Sequence, residues 1–158
     1  MLSLVKANIS DCDELHDIRL KAFSPLLEKY RDYETSPAAK TVEHLIAYMQ
    51  NDSIDFYFIC LDDIKNIGYI RVKKVDENKC DLSQIAVLPE YQGNGYAQSA
   101  LKQVEGFYPS CKVWELATIK QEDKLRHLYE KMGYKLTGKE EQKIKDGMDI
   151  IIYEKNIY

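Results

Sequence analysis

Apolar and polar positions alternate along several stretches of this 158-residue chain, and each such stretch predicts a strand. Residues 2–7 form the first, and runs rich in aromatic and β-branched residues predict the others. The later predicted strands are 54–61, 67–75, 80–88, 112–118, 134–138 and 148–155. Because only residues 76–79 separate strands 67–75 and 80–88, these two strands are expected to form an antiparallel hairpin.

Helical spacing of apolar residues fills the intervals between these strands. The first predicted helix begins at the N-cap Ser10 and ends at Ser24-Pro25, because the residue before proline avoids the helical region. The second begins at Ser36-Pro37, with serine as the cap and proline in the first turn. The third begins near Gly95, and the fourth spans 125–132 and ends at Gly133, where a positive φ is favoured.

The resulting order β-α-α-β-β-β-α-β-α-β-β predicts a single domain over residues 1–158 with a mixed α/β (α+β) fold. Its sheet would be mostly antiparallel, with six to seven strands and helices on both faces. A right-handed β-α-β crossover would make strands 80–88 and 112–118 parallel. Ligands of open α/β sheets lie beyond the carboxyl ends of such strands, which points to residues 87–97 and 118–123.

Composition narrows the function classes. Lys plus Arg number 22 and Asp plus Glu number 26, so the net charge of −4 argues against a nucleic-acid partner. The four cysteines show no metal-binding spacing with the three histidines, so we expect reduced thiols, no metal site and a cytoplasmic location. No signal-peptide pattern or apolar run of about 20 residues is present, and no membrane association is expected.

The loop after strand 80–88 is the most informative segment. Pro89 ends the strand, and Gly93 and Gly95 lead into a helix. Glycines let the backbone turn tightly and leave amide N–H groups uncovered at the helix start, where the helix dipole favours an anion. A pyrophosphate would suit this loop. The alternative is a helix entry turn that uses glycine without binding anything.

Two blocks together carry a resemblance to a known family. Gln92, Gly95 and Ala97 form a Gln-x-x-Gly-x-Ala pattern, and about thirty residues later comes the segment Leu128–Tyr134. This pair, in this element order, resembles the GNAT superfamily of N-acetyltransferases over essentially the whole chain. The resemblance implies acetyl-CoA as cosubstrate, with its pyrophosphate on the loop. The cofactor-binding loop residues would be Gln92, Gly93, Asn94, Gly95, Tyr96, Ala97 and Gln98.

The resemblance also implies roles around the thioester. The backbone of Ile85, Ala86 and Val87 would pair with pantetheine, and the Val87 N–H would polarise the thioester carbonyl. Tyr129 would also contact the cofactor and act as the general acid that protonates the CoA thiolate. The alternative places Tyr129 merely in the apolar face of its helix.

The general base is less directly indicated. Asp81 is a candidate catalytic base, with a side chain expected on the face of Ser83 and Ile85. An exposed carboxylate without a catalytic role, or a water chain in place of a base, is the alternative. Glu122 stands where the family often has Asn, and it would bind pantetheine or face the acceptor.

The acceptor is expected at the connection between the first two helices. There Glu28, Tyr30, Asp32 and Tyr33 could attract a cationic amine and stack on it, although a solvated polar connection is the alternative. No His is placed by sequence to activate Cys80, so direct transfer to a primary amine of a small molecule or peptide in a ternary complex is expected. A non-catalytic acyl-CoA-binding sensor or interaction module is the alternative function, a nucleotide-binding protein a weaker one, and homodimers are common in such domains.

Overall fold

The computed structural model describes residues 1–157, in which eight strands and four α-helices surround two cores. The strands are β1 (Leu2–Lys6), β2 (Ile54–Leu61), β3 (Lys65–Lys74), β4 (Lys79–Val87), β5 (Val113–Ile119), β6 (Lys135–Leu136), β7 (Gln142–Lys145) and β8 (Met148–Asn156). The helices are α1 (Cys12–Tyr30), α2 (Val42–Met49), α3 (Tyr96–Gly106) and α4 (Asp123–Lys131). None of these helices has the length and apolar character that crossing a membrane requires.

The sheet has the order β1-β2-β3-β4-β5-β8-β6, and β7 also pairs with β8. Only β4 and β5 are parallel among the described strand pairs, so the predicted mixed, mostly antiparallel sheet is confirmed. Helices cover both faces, as predicted. Leu15 of α1 and Leu45 of α2 pack with Phe56 on one face, and Leu101 of α3 and Tyr129 of α4 belong to the core on the other.

Two helix boundaries differ from the prediction. Helix α1 continues through Pro25 to Tyr30, because Pro25 is exposed and water can bond the backbone groups that proline leaves free. The second helix begins later than expected, since Ser36 caps only a 3-10 turn and the side chain of Thr41 accepts from the His44 N–H to cap α2. Ser36-Pro37 therefore begins the 3-10 turn that precedes α2 and not α2 itself.

The C-terminal strands also differ from the prediction. The strand expected at 134–138 shrinks to the two residues of β6, and β7 is an additional strand. Residues 146 and 147 form a tight Asp-Gly turn, with Gly147 at φ 82°, that folds β7 back onto β8. The Asp-Gly pair was the sequence signal for this hairpin.

Strand β4 has two irregularities that shape the site. It pairs with β5 only from Lys79–Asp81 to Val113–Glu115, so the carboxyl ends of the two parallel strands separate. Arg71 lies opposite Gln84 and Val72 opposite Leu82, which leaves Ser83 as a β-bulge. Cys80, Leu82, Ile85 and Val87 all contact the α3–α4 core, so Asp81 faces the α1–α2 side. The expectation that Asp81 shares a face with Ile85 is wrong, because the bulge reverses the alternation.

Candidate active site

The gap between β4 and β5 exposes backbone groups of β4. Leu88 N–H donates to the Ile67 carbonyl on β3 at 2.8 Å, and antiparallel pairing alternates from there. Ala86, which lies opposite Tyr69, therefore directs its backbone groups toward β3. Ile85 and Val87 direct theirs toward the gap. The prediction that Ala86 backbone groups pair with pantetheine is therefore wrong, because those groups already pair with β3.

The loop before α3 has the conformation of an anion-binding turn. Gly93 and Gly95 have φ values of 82° and 79°, and a Cβ at either position would meet no atom within 4 Å. These glycines are therefore needed for their backbone conformation, and the space above them is open. No side chain caps the start of α3, so the first amides, from Tyr96 to Gln98, have no acceptor within the helix.

Two loop side chains bond the loop itself. Gln92 Nε2 donates to the Val87 carbonyl at 2.9 Å and closes the turn between strand and loop. Asn94 Nδ2 donates to the Tyr91 carbonyl at 3.1 Å. Open amides at a helix start, next to an unpaired strand edge, fit the phosphates and the amide-containing arm of a CoA molecule.

Tyr129 lies in the α3–α4 core together with Val87 and is 6% exposed. Its ring packs against those of Tyr134 and Tyr153, with centroids 6.1 and 6.4 Å away. Burial raises the pKa of Tyr129 above its usual value of about 10, and no charged neighbour contributes. The phenol is therefore protonated at neutral pH and can donate a proton.

Cys80 is excluded as a nucleophile. The side chain is fully buried, and its thiol lies against that of Cys111. Burial, with the contact to Cys111, raises the pKa of Cys80 to about 12. Since the thiolate is the reactive form, Cys80 is inert at neutral pH.

Asp81 lies half-buried on the α1–α2 side, opposite Lys73 on β3 and Glu115 on β5. Burial, and then the negative charge of Glu115, raises the pKa of Asp81. Ile85 is four residues further along β4, about 13 Å at the usual rise per residue. Asp81 is therefore a better proton acceptor than an ordinary carboxylate, but it is too far from the gap amides for direct contact with a group bound there.

Glu122 bridges α1 and the start of α4. Its carboxylate accepts from Lys29 Nζ at 2.7 Å and from the Tyr30 hydroxyl. Burial opposes ionisation of Glu122, but the hydrogen bonds from Lys29 and Tyr30 outweigh it and hold the pKa below its usual range. Two residues assigned to different substrates by sequence, Glu122 and Tyr30, thus contact each other.

The other residues predicted for the acceptor do not converge on one site. The Asp32 carboxylate accepts from the backbone N–H groups of Glu34 and Thr35, and from the Thr35 hydroxyl, so it shapes its own turn. Tyr33 is 65% exposed, and Glu28 is also exposed. Instead, the structure places a cavity of about 280 Å³ beside this connection, lined by Arg19, Arg71 and Gln84 among others. No local pattern marks this cavity, because its residues are far apart in the sequence.

Residues 13–134 match the model of the acetyltransferase (GNAT) family. The chain belongs to the GNAT acetyltransferase family. GNAT enzymes use acetyl-CoA as cosubstrate.

Solved GNAT structures share the fold over nearly their whole length. The PaiA N-acetyltransferase from Thermoplasma acidophilum, in complex with coenzyme A, has 21% identity, a TM-score of 0.81 and coverage of 99% of each chain. A GNAT acetyltransferase from Elizabethkingia anophelis with acetyl-CoA bound has 17% identity and a TM-score of 0.73, covering 99% of this chain and 98% of that one. A spermidine N-acetyltransferase chimera from Vibrio cholerae has 16% identity and a TM-score of 0.78, with coverage of 98% and 95%. No curated protein matches this GNAT chain in sequence.

Proposed function

We propose that this GNAT protein is an N-acetyltransferase that moves the acetyl group of acetyl-CoA directly to a primary amine in a ternary complex. The observation that carries the proposal is Tyr129, a buried and protonated phenol in the same core as the gap residues Ile85 and Val87. Cys80 offers no reactive thiolate for an acyl-enzyme route. The names of the similar solved structures, an N-acetyltransferase and a spermidine N-acetyltransferase, support nitrogen as the acceptor atom.

The backbone binds and polarises the donor in this proposal. The amides from Gly93 to Gln98 hold the pyrophosphate, and the edge of β4 at Ile85 and Val87 pairs with the pantetheine arm. The backbone N–H groups of Ile85 and Val87 both face the gap, and either can donate to the thioester oxygen. Val87 is assigned as this donor, and its hydrogen bond stabilises the negative charge that develops on the oxygen. Glu122, whose Oε2 already accepts from Lys29 and Tyr30 of α1, acts by fixing the start of α4.

Two side chains move protons. The amine attacks the acetyl carbon, a C–N bond forms and the C–S bond breaks. Tyr129 gives its proton to the departing sulfur. The amine proton passes through water to Asp81, whose raised pKa suits it to accept.

A Tyr129→Phe variant tests the proposal, with Tyr134→Phe as its matched control. The Tyr134 hydroxyl is also buried and has no hydrogen-bond partner, so both changes remove a core hydroxyl. Acetyl-CoA turnover is followed by thiol release with a panel of amines and peptides. We expect kcat to fall about 100-fold in Tyr129→Phe and to stay unchanged in Tyr134→Phe.

Equal kcat values in Tyr129→Phe and the wild type would remove the acid assignment. Wild-type protein that binds CoA by calorimetry but acetylates no member of the panel would make it an acyl-CoA-binding module instead. The KM for acetyl-CoA is measured in each variant, because a large change there would indicate a binding defect rather than lost proton transfer.

A further inference from the structure

The cavity of about 280 Å³ on the α1–α2 side is built around two arginines. Arg19 comes from α1 and Arg71 from β3, while Lys40, His44 and Gln84 also line it, with Glu34 as the one acidic member. Its volume lies at the lower end of the range for small-molecule sites. It therefore suits part of a small ligand rather than a macromolecular surface.

Buried donors in this cavity lack partners. Arg19 is 1% exposed, and its Nη2 donates to the Thr41 carbonyl at 2.9 Å, but its Nε has no hydrogen-bond partner. The Nε of Arg71 is likewise buried and unpartnered, and its guanidinium stacks on the Tyr48 ring at 4.6 Å. Buried polar groups are normally satisfied, so these two guanidinium groups, whose hydrogen-bonding capacity is only partly used within the protein, suit a ligand that carries acceptor atoms.

The cavity is electropositive. Arg19, Arg71 and Lys40 line it, and Glu34 is its one acidic residue. Burial, and then the positive charges of Arg19, Lys40 and Arg71, lower the pKa of His44, which agrees with an electropositive cavity. Guanidinium groups match the planar, two-oxygen geometry of a carboxylate, so an anion of this kind suits the cavity best.

The cavity lies next to the reaction site. Gln84 directly precedes Ile85 on β4. Val87 lies three residues beyond Gln84, about 10 Å along the strand. Gln84 Oε1 accepts from the Tyr69 hydroxyl at 2.6 Å, which leaves its amide N–H groups as donors toward the cavity. A ligand held here reaches the gap from the face opposite α3.

We propose that the acetyl acceptor is a small amine that also carries a carboxylate, as an amino acid or short peptide does. Its carboxylate binds Arg19 and Arg71, and its amine extends toward the gap at Ile85 and Val87. This inference rests on the proposed acetyl transfer. It replaces the expectation of an acidic site for a purely cationic amine, because Asp32 is engaged in its own turn and the buried cavity is cationic.

Two acceptor pairs that differ only in the carboxylate test the inference. L-Lysine is compared with 1,5-diaminopentane, and glycylglycine with glycylglycinamide, in the thiol-release assay. The variants are Arg71→Gln and, as a control, Lys21→Gln, which removes one positive charge from an exposed site on α1 outside the cavity. Binding of the same four amines to the CoA-loaded protein is measured by calorimetry.

We expect the carboxylate-bearing member of each pair to have at least a 10-fold higher kcat/KM in the wild type. Arg71→Gln should raise the KM for that member at least 10-fold, with the KM for acetyl-CoA unchanged. Lys21→Gln should resemble the wild type. Equal or better turnover of the diamine and the amide would overturn the inference while leaving acetyl transfer established.

Failure of the proposed function gives a different result. If no amine is acetylated although CoA binds, the transfer reaction is refuted, and calorimetry then decides the inference alone. Tighter binding of the carboxylate members, lost in Arg71→Gln, would still support an anion site. Binding that does not distinguish the members of each pair, or that Arg71→Gln leaves unaltered, would overturn it.

Discussion

Asp81 and Tyr129 differ in how their surroundings set their protonation. Tyr129 is buried among aromatic rings with no charge nearby, and this keeps its proton in place. Asp81 lies on the other face of the sheet, where burial and Glu115 disfavour its charged form. Both pKa values are thus raised, so Tyr129 retains its proton at neutral pH and an ionised Asp81 accepts a proton more readily than an ordinary carboxylate.

An Asp81→Asn variant measures the second of these roles. A general base must be ionised to accept a proton. Because the pKa of Asp81 is raised, activity should fall on acidification at a pH above the usual carboxyl pKa of about 4. We expect kcat/KM at pH 7 to fall about 100-fold and the acidic limb of the pH profile to disappear. The measurement is the pH dependence of thiol release with one good acceptor.

The stability of Asp81→Asn distinguishes loss of the proton acceptor from misfolding as the cause of lower activity. Because the folded pKa of Asp81 is raised, stability is lost as pH rises from the unfolded value through the folded one, and the whole penalty is present above the folded pKa. Asp81→Asn removes the penalty, so its urea midpoint at pH 7 should equal or exceed that of the wild type. A pH profile that Asp81→Asn leaves intact would assign proton removal to water alone.

Among the elements, the loop and α3 act as a unit whose function depends on backbone conformation. Gly95 is at φ 79° with open space around it, whereas Gly106 at the end of the same helix lies in equally open space without a positive φ. Gly95→Ala should therefore cost about 1 kcal/mol of stability and weaken CoA binding, since the amides would leave their positions. Gly106→Ala should leave CoA binding unchanged and raise stability by up to about 1 kcal/mol, because alanine is the better helix former. Urea unfolding and calorimetric titration with CoA check both; equal affinity for CoA in Gly95→Ala would show that these amides do not bind the phosphates.

Most elements could be predicted from the sequence because their signals are local. Strand alternation, the glycine loop and Gly133, which has φ 94°, all depend on neighbouring residues. The prediction that the first helix ends at Ser24-Pro25 was wrong, because a proline on an exposed helix face is tolerated. The bulge at Ser83 gave no signal, since a bulge is set by pairing with the next strand. Arg19 and Arg71 meet only after α1 packs on the sheet, so their cavity could not be read from either segment.

In the proposed reaction the two faces of the sheet have separate roles, and Glu122 connects α1 on one face with α4 on the other. The Glu122 side chain is 17% exposed and that of Lys29 57% exposed, so solvent screens their ion pair in part. The pair joins the end of α1 on the acceptor side to the start of α4, which carries Tyr129. It therefore influences the position of the proposed acid relative to the acceptor site.

Glu122→Gln should show how much this connection stabilises the fold. Because the folded pKa of Glu122 is depressed, its contribution is present above the unfolded value of about 4 and is lost as pH falls through the folded one. We expect Glu122→Gln to lose about 0.5–1 kcal/mol at pH 7 and a smaller amount near pH 3, by urea unfolding at both values. The exposed neighbour Glu28 gives the control Glu28→Gln, for which no change is expected. A loss of the same size at both pH values would contradict an ionic origin.

The bulge at Ser83 also limits how this strand can change in evolution. Substitutions in β4 leave each side chain on its present side, so residues toward the donor and residues toward the acceptor can vary independently. Loss of Ser83 would instead restore regular pairing and keep every side chain on its present side, because Leu82 and Gln84 already lie opposite Val72 and Arg71. The strand can thus acquire new specificity by substitution, and Ser83 is the position at which its length can change without exchanging the two faces.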